Sequence, residues 1–137
     1  MATVIRAEIS EKNKYWISKH RHYELKHFCL QYESWKKAIE DLDGFKNKTG
    51  GESTGSSLPG DPTNKCVELR SGYLDRVELI ERIAYETDSI LHKYILKAVT
   101  EGLSYTYLKS KLGIPCGRDM YYDRYRKFFW LLSESRN

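Results

Sequence analysis

"LSYTYLKSKLGIPCGRDMYYDRYRKFFWLL", which runs from Leu103 to Leu132, contains the signals for two helices separated by a tight turn. Ser104 is a suitable N-cap for the first helix, because its hydroxyl can accept a hydrogen bond from a backbone N–H in the first turn. Leu108 and Leu112 are four residues apart, so we expect both side chains to face inward.

Gly113 follows this helix and permits a sharp turn, because glycine adopts the left-handed backbone conformation at little cost. We expect Ile114 to fill the angle between the two helices and Pro115 to open the second element. The second helix is predicted from about Gly117 to Ser133. This order of signals is typical of a helix-turn-helix.

The second helix has two faces of different character. Its predicted buried face has aromatic and apolar residues at steps of three and four, namely Met120, Tyr121, Tyr125, Phe128, Leu131 and Leu132. A neighbouring strip is predicted to be exposed and consists of Arg118, Tyr122, Arg126 and Phe129, with Asp119, Asp123 and Lys127 beside it.

The exposed strip has the side-chain chemistry that groove binding requires. Guanidinium groups can contact guanine edges or phosphates, phenol hydroxyls can contact phosphates, and aspartates can accept from cytosine amines. The candidate DNA-binding residues are Arg118, Asp119, Tyr122, Asp123, Arg126 and Lys127, together with Lys109 and Lys111 of the preceding helix. A corner of two helices with a solvated basic face has the same pattern, and basic amphipathic helices also bind proteins and membranes.

The net charge of +4 is unevenly distributed along the chain. Residues 105–137 contain seven Lys/Arg and three Asp/Glu, whereas residues 43–104 contain eight Lys/Arg and ten Asp/Glu. A basic C-terminal part favours an anionic partner, because such asymmetry biases the encounter between molecules.

The segments SYTYLKSKLGIP and RDMYYDRYRKFFWLL together resemble the C-terminal part of phage late-gene transcription regulators of the RinA/ArpU type. In that family a short helix beginning Ser-Tyr precedes Leu-Gly-Ile-Ser and a helix rich in Tyr and Arg. The matching positions are Ser104, Tyr105, Leu108, Leu112, Gly113, Ile114, Tyr121, Arg124, Arg126 and Lys127. Two departures are Pro115, where Ser is usual, and a turn that is one residue longer.

The resemblance implies a C-terminal domain similar to the promoter-reading domain of sigma factors. It also implies sequence-specific promoter binding by a small regulator of a phage or prophage. Double-stranded DNA would be its partner, and host RNA polymerase a further one. The helices upstream would then serve polymerase contact or formation of a homodimer.

A long helix is predicted from Ile17 to Leu42, with Ser18 as its N-cap and Gly44 as its stop. Apolar residues recur along it at steps of three and four: Leu25, Phe28, Tyr32, Trp35, Ile39 and Leu42.

Asp61 and Pro62 are a suitable N-cap and first residue for the next helix. Its inner face is predicted to consist of Cys66, Leu69, Tyr73, Val77, Ile80 and Ala84. We expect the two long helices to form an antiparallel hairpin. Asp88 is expected to cap a shorter helix, Ser89 to Glu101, that ends at Gly102.

Between the long helices, Asp43 to Asn64 contains five of the nine glycines and two of the three prolines. This composition is typical of a flexible linker. The sequence therefore predicts an all-α fold with a helical hairpin and a C-terminal helix-turn-helix. Its parts are an N-terminal helical segment (1–42), a flexible loop (43–64), central helices (62–101) and a DNA-binding segment (102–137).

Other chemistry has little support in the sequence. The three cysteines are an odd number without CxxC spacing, which argues against a disulfide framework and favours a reducing compartment. His20, His22, His27 and Cys29 would fall on several faces of one helix, so we expect no metal site. No catalytic or cofactor-binding motif is present, and we expect no enzyme activity. No signal peptide or membrane span is apparent, which predicts the cytoplasm of the host cell.

Two other functions fit the same pattern. A helix-turn-helix with a helical hairpin would suit a phage packaging protein such as a ring-forming small terminase subunit. The FFWLL sequence and the aromatic hairpin would suit a protein-interaction module, for example an inhibitor of a host factor. Solution mass separates a ring from a monomer or dimer, and DNA retention at moderate salt separates both DNA-binding functions from the third.

Overall fold

Six α-helices make up most of the described chain. The computed structural model describes residues 12–50 and 62–136, with side chains for 12–44 and 64–136. The helices are α1 Lys19–Cys29, α2 Tyr32–Gly50, α3 Pro62–Thr87, α4 His92–Glu101, α5 Tyr105–Leu112 and α6 Arg118–Ser135. Neither described range contains a strand, so the predicted all-α class is confirmed. None of these helices is long and apolar enough to cross a membrane.

The predicted single helix from Ile17 to Leu42 is wrong, because the chain forms two helices there. Ser18 caps α1 as predicted, and its hydroxyl accepts a hydrogen bond from the backbone N–H of Arg21 at 3.2 Å. The helix ends before Leu30, and the side-chain amide of Gln31 donates to the carbonyl of His27 at 3.2 Å. In a continuing helix the His27 carbonyl would accept a hydrogen bond from a backbone N–H of the next turn, and here the Gln31 side chain takes that place. No Gly or Pro marks the break.

The chain divides into two compact units, of which Tyr32–Leu79 is one. This unit contains α2 and most of α3. The carboxylate of Asp43 accepts from Nε of Arg70 at 2.8 Å, and the guanidinium of Arg76 lies 5.5 Å from the ring centroid of Trp35. Arg76 follows Arg70 along α3, whereas its partner Trp35 precedes Asp43 along α2. The two helices therefore run antiparallel, and the predicted antiparallel hairpin is present.

Two predicted details of this hairpin are wrong. Helix α2 continues through Gly44 to Gly50, because one glycine inside a helix costs only about 1 kcal/mol. Leu69 was expected on the inner face of α3 but is 48% exposed, since the neighbouring Arg70 faces α2 instead. Of the predicted loop, residues 43–50 and 62–64 are helical. The rest of the loop and the predicted cap Asp61 lie outside the described residues.

The other unit contains α1, the end of α3, and α4 to α6. Helix α1 packs against α4 and α6, and α4 packs against α5. These four helices, the turn after α5 and the end of α3 contribute apolar side chains that are almost completely buried, among them Leu25, Cys29, Ile80, Ile83, Ile95, Leu108, Ile114, Phe128 and Leu132. Arg21 also ties α1 to α6, because its guanidinium donates to the hydroxyl and the carbonyl of Ser133 at 3.0 and 3.1 Å.

The turn from α3 to α4 is organised by Asp88. Its carboxylate accepts from the backbone N–H groups of Ile90 and Leu91, both at 2.9 Å. Helix α4 then begins at His92 rather than at the predicted Ser89, because these hydrogen bonds hold residues 89–91 in a turn. Gly102 ends α4 as predicted, in the left-handed conformation with φ of 72°.

Candidate nucleic-acid interface

The turn between α5 and α6 has the conformation that its residues predict. The Ser104 hydroxyl accepts from the backbone N–H of Tyr107 at 3.1 Å and so caps α5. Gly113 ends α5 with φ of 68°. The N–H of Ile114 returns to the carbonyl of Leu108 at 3.1 Å, and the Ile114 side chain is completely buried. Ile114 therefore fixes the angle between α5 and α6, as expected from the sequence.

Side chains of α5 hold the rest of the turn in place. The Tyr105 hydroxyl donates to the carbonyl of Cys116 at 2.7 Å, and Nζ of Lys109 lies 3.4 Å from the carbonyl of Ile114. Pro115 does not open the next helix, contrary to the prediction. Helix α6 begins at Arg118, because residues 115–117 are used to cross from α5 to α6. No local sequence signal indicates that Tyr105 supports this crossing.

Helix α6 is rotated relative to the predicted orientation. Tyr121, Phe128 and Leu132 are buried as predicted. Met120 was expected in the core but is 44% exposed, and Phe129 was expected on the surface but is 2% exposed. The ring of Phe129 contacts the ring of His22 edge-on with centroids 4.9 Å apart. Packing against α1 thus buries a side of α6 that the spacing of its apolar residues had assigned to solvent.

Arg118 is the best-positioned candidate for an anionic partner. It is exposed at the first position of α6, and its guanidinium lies 5.0 Å from the ring centroid of Tyr105 and 6.0 Å from that of Tyr122. Its Nη1 also lies 3.3 Å from the hydroxyl of Tyr122. Two aromatic rings therefore hold this guanidinium at the surface without neutralising it, because a cation–π contact leaves the charge in place.

Two lysines of α5 add positive charge on the helix that precedes the turn. Lys109 and Lys111 are both exposed and lie in the last turn of α5. Neither makes an ion pair with any described residue, and the same holds for Arg118. Asp119 is exposed next to Arg118 and is the acidic residue in the first turn of α6. The ends of α5 and α6 nearest the turn thus carry three cationic side chains and one carboxylate.

Arg124, which matches the family resemblance, and Asp123, which was predicted beside the exposed strip, form an ion-pair cluster with Asp88. Arg124 donates from Nε to the carboxylate of Asp88 at 2.8 Å and from Nη1 to the carboxylate of Asp123. Partial burial of Asp88 opposes its ionisation, but hydrogen bonds from Arg124, Leu91 and Ile90 outweigh that effect and lower its pKa. Arg124 therefore anchors α6 to the turn before α4, and its charge is neutralised within the protein.

The remaining predicted contact residues are less accessible. Tyr122, Asp123, Arg126 and Lys127 are all half-buried. The Nε–H of Arg126 is buried and has no hydrogen-bond partner among the described residues, and Arg126 lines a small cavity with Tyr15 and His22. The structure therefore turns part of the Arg126 guanidinium toward α1 and the residues before it.

The described residues offer no arrangement suited to metal binding. No group of three or more His, Cys, Asp or Glu side chains comes together within the described ranges. His22 is buried among aromatic rings, whereas His20 and His27 are exposed on other sides of α1. Burial raises the pKa of the Cys116 thiol, which lowers its thiolate fraction and its reactivity.

Comparison with known proteins adds no assignment. No protein-family model, curated protein or solved structure matches the chain. The residues and geometry of the α5–α6 region are therefore the basis on which a function can be proposed.

Proposed function

We propose that the chain is a DNA-binding protein in which α5, the turn and α6 act as a helix-turn-helix on duplex DNA. The observation that carries this proposal is the exposed group of Lys109, Lys111 and Arg118 at the ends of α5 and α6 that meet at the turn. The N-terminal part of the second helix is where such motifs contact base edges, and the flanking cations contact phosphates.

Arg118 has the properties of a preorganised contact. Tyr105 and Tyr122 restrict its guanidinium, so binding to a phosphate or a guanine removes less side-chain freedom. Its two outer nitrogens can form the paired hydrogen bonds that guanine O6 and N7 accept. Asp119 beside it is exposed and can accept from a cytosine amine.

Ion pairs within the protein reduce the number of α6 side chains that are available to contact DNA. Arg124 is paired with Asp88 and Asp123, so it contributes to the fold rather than to DNA binding. Arg126 and Lys127 are half-buried and lie further along α6, which suits contact with the flanking backbone. We therefore place base reading at Arg118, Asp119 and Tyr122, and phosphate binding at the lysines of α5 and at Lys127.

The resemblance to phage late-gene regulators extends this proposal to a biological role. In that role the chain would read a promoter of a phage or prophage in a sigma-like manner, with host RNA polymerase as a second partner. A homodimer would present two copies of α6 to two half-sites about 34 Å apart, one turn of DNA. A packaging protein would bind DNA with the same helices, but as a ring that light scattering would distinguish from a monomer or dimer.

The experiment that tests DNA binding begins with selection of preferred sequences from random duplexes. Fluorescence anisotropy then compares the wild type with Arg118→Ala on the selected duplex. A loss of about 1 to 3 kcal/mol confined to one base pair identifies a base contact, and a uniform loss with a shallower salt slope identifies a phosphate contact.

Arg82→Ala is the matched control, because Arg82 is an exposed arginine paired with Glu86 on α3. It removes the same charge from a helix that is not part of the proposed helix-turn-helix and should leave affinity unchanged. Equal affinity of the wild type and Arg118→Ala, with Lys109→Ala and Lys111→Ala also silent, would exclude this surface and favour the protein-interaction function.

A further inference from the structure

A cavity of about 190 Å³ lies where the ends of α1 and α4 meet the starts of α5 and α6. Its lining includes five aromatic residues, namely Tyr105, Tyr121, Tyr122, Tyr125 and Phe129. The cavity therefore combines aromatic rings with polar groups, as is usual for small-molecule sites.

The Tyr121 hydroxyl is a polar group of the cavity lining without a hydrogen-bond partner among the described residues. The Tyr121 side chain is 2% exposed and lines the cavity, and its hydroxyl makes no hydrogen bond with any described residue. Neighbouring hydroxyls differ, because Tyr105 donates to the carbonyl of Cys116, and Tyr122 lies against Arg118. Burial raises the pKa of Tyr121, so this hydroxyl keeps its proton at neutral pH and can donate it in a hydrogen bond.

Among the described residues that line the cavity, Lys26 is the charged one, and none is Asp or Glu. It lies in the last turn of α1 and makes no ion pair with any described residue. The cavity therefore combines an aromatic wall, an available hydroxyl donor and an uncompensated ammonium group. A molecule that satisfies all three has an aromatic ring, an acceptor oxygen and a negative charge.

The volume of the cavity restricts the size of such a molecule. A cavity of about 150 Å³ holds benzene, so about 190 Å³ accommodates one ring with a small substituent. We propose that this cavity binds a single-ring aromatic carboxylate. Its ring packs on Tyr121, Tyr125 and Phe129, its carboxylate pairs with Lys26, and one of its oxygens accepts from the Tyr121 hydroxyl. This proposal does not require DNA binding by the chain, and the cavity shares Tyr105 and Tyr122 with the surroundings of Arg118.

The test is a titration of the full-length protein with benzoate and 4-hydroxybenzoate, followed by calorimetry and by amide chemical shifts. We expect dissociation constants of about 1 mM or tighter. The largest shifts should fall on residues that line the cavity. The absence of binding up to about 10 mM, or shifts that lie mainly on other parts of the protein, would overturn the proposal.

Lys26→Met tests the charge while it keeps the length of the side chain. Benzoate affinity should fall by about tenfold, whereas neutral benzyl alcohol, measured on the same variant, should bind as it does to the wild type. Benzyl alcohol binding also shows that the variant is folded. Lys19→Met, at an exposed position of the same helix, should bind benzoate normally. Equal benzoate affinity in the two variants would refute the role of Lys26.

Tyr121→Phe keeps the ring and removes the hydroxyl. We expect about a fivefold loss of benzoate affinity, the usual scale for one hydrogen bond. Unchanged affinity in this variant would remove Tyr121 from the site and contradict the proposed binding mode.

Discussion

Phe129→Ala and Met120→Ala together test which face of α6 is buried. Phe129 is 2% exposed, and its ring contacts the rings of His22, Tyr125 and Phe128 with centroids 4.9 to 5.0 Å apart. Truncation leaves a cavity among these rings, so we expect a loss of about 3 to 5 kcal/mol in the free energy of unfolding. Met120 is 44% exposed, and its truncation should cost less than about 1 kcal/mol.

Urea unfolding followed by circular dichroism measures both variants. With a slope of about 2 kcal/mol per molar urea, the Phe129→Ala midpoint should fall by about 2 M and the Met120→Ala midpoint by less than about 0.5 M. Because Phe129→Ala removes a large part of a total stability of about 5 to 15 kcal/mol, Phe129→Leu provides a milder variant. A larger loss for Met120→Ala than for Phe129→Ala would restore the orientation predicted from the sequence and refute the packing of α6 on α1.

Three further substitutions test the turn and the polar contacts. Gly113→Ala should cost about 1 kcal/mol in unfolding free energy, because a Cβ there meets no atom within 4 Å and only the positive φ opposes it. Asp88→Asn should cost about 2 kcal/mol at pH 7. The pKa of Asp88 is lower in the folded than in the unfolded protein, so the ionised carboxylate stabilises the fold at every pH above its unfolded pKa. This stabilisation is lost as the pH falls through the folded pKa. The urea midpoints of the wild type and Asp88→Asn should therefore converge as the pH falls below about 4. Arg126→Met should leave the melting temperature unchanged or raise it, because it removes a buried donor without a partner.

The helix ends were predictable where a local signal decides them. Ser18 and Ser104 cap helices, and Gly102 and Gly113 end them in the left-handed conformation, as their residue types indicated. These choices depend on backbone sterics and on hydrogen bonds within one turn, which the sequence alone specifies. The burial of Ile114 was also predictable, because the tight turn at Gly113 directs the next side chain between the two helices.

Features that depend on tertiary contacts were not predictable in the same way. Nothing in the sequence marks the break between α1 and α2, where the Gln31 side chain replaces a helical hydrogen bond. The predicted rotation of α6 about its axis was wrong by part of a turn. Aromatic residues occur all around this helix, and only the position of α1 determines which of them are buried. In the candidate interface, Arg118 lies at the surface as predicted, whereas Arg124 is anchored by Asp88, a partner 36 residues away.

The salt dependence of duplex DNA binding tests the central claim most directly. The comparison is between the wild type and a triple variant, Lys109→Ala, Lys111→Ala and Arg118→Ala. The melting temperature should fall only slightly, because all three positions are exposed and only Lys109 reaches a backbone carbonyl of the turn, at 3.4 Å. Removing one cation that binds a phosphate reduces the slope of log K against log salt concentration by about 0.9. The loss of the two α5 lysines therefore predicts a change of about 1.8, and a change of about 2.7 would show that Arg118 also binds a phosphate. A wild-type protein that does not bind duplex DNA at low salt, or a triple variant with the wild-type slope, would contradict DNA binding by this surface.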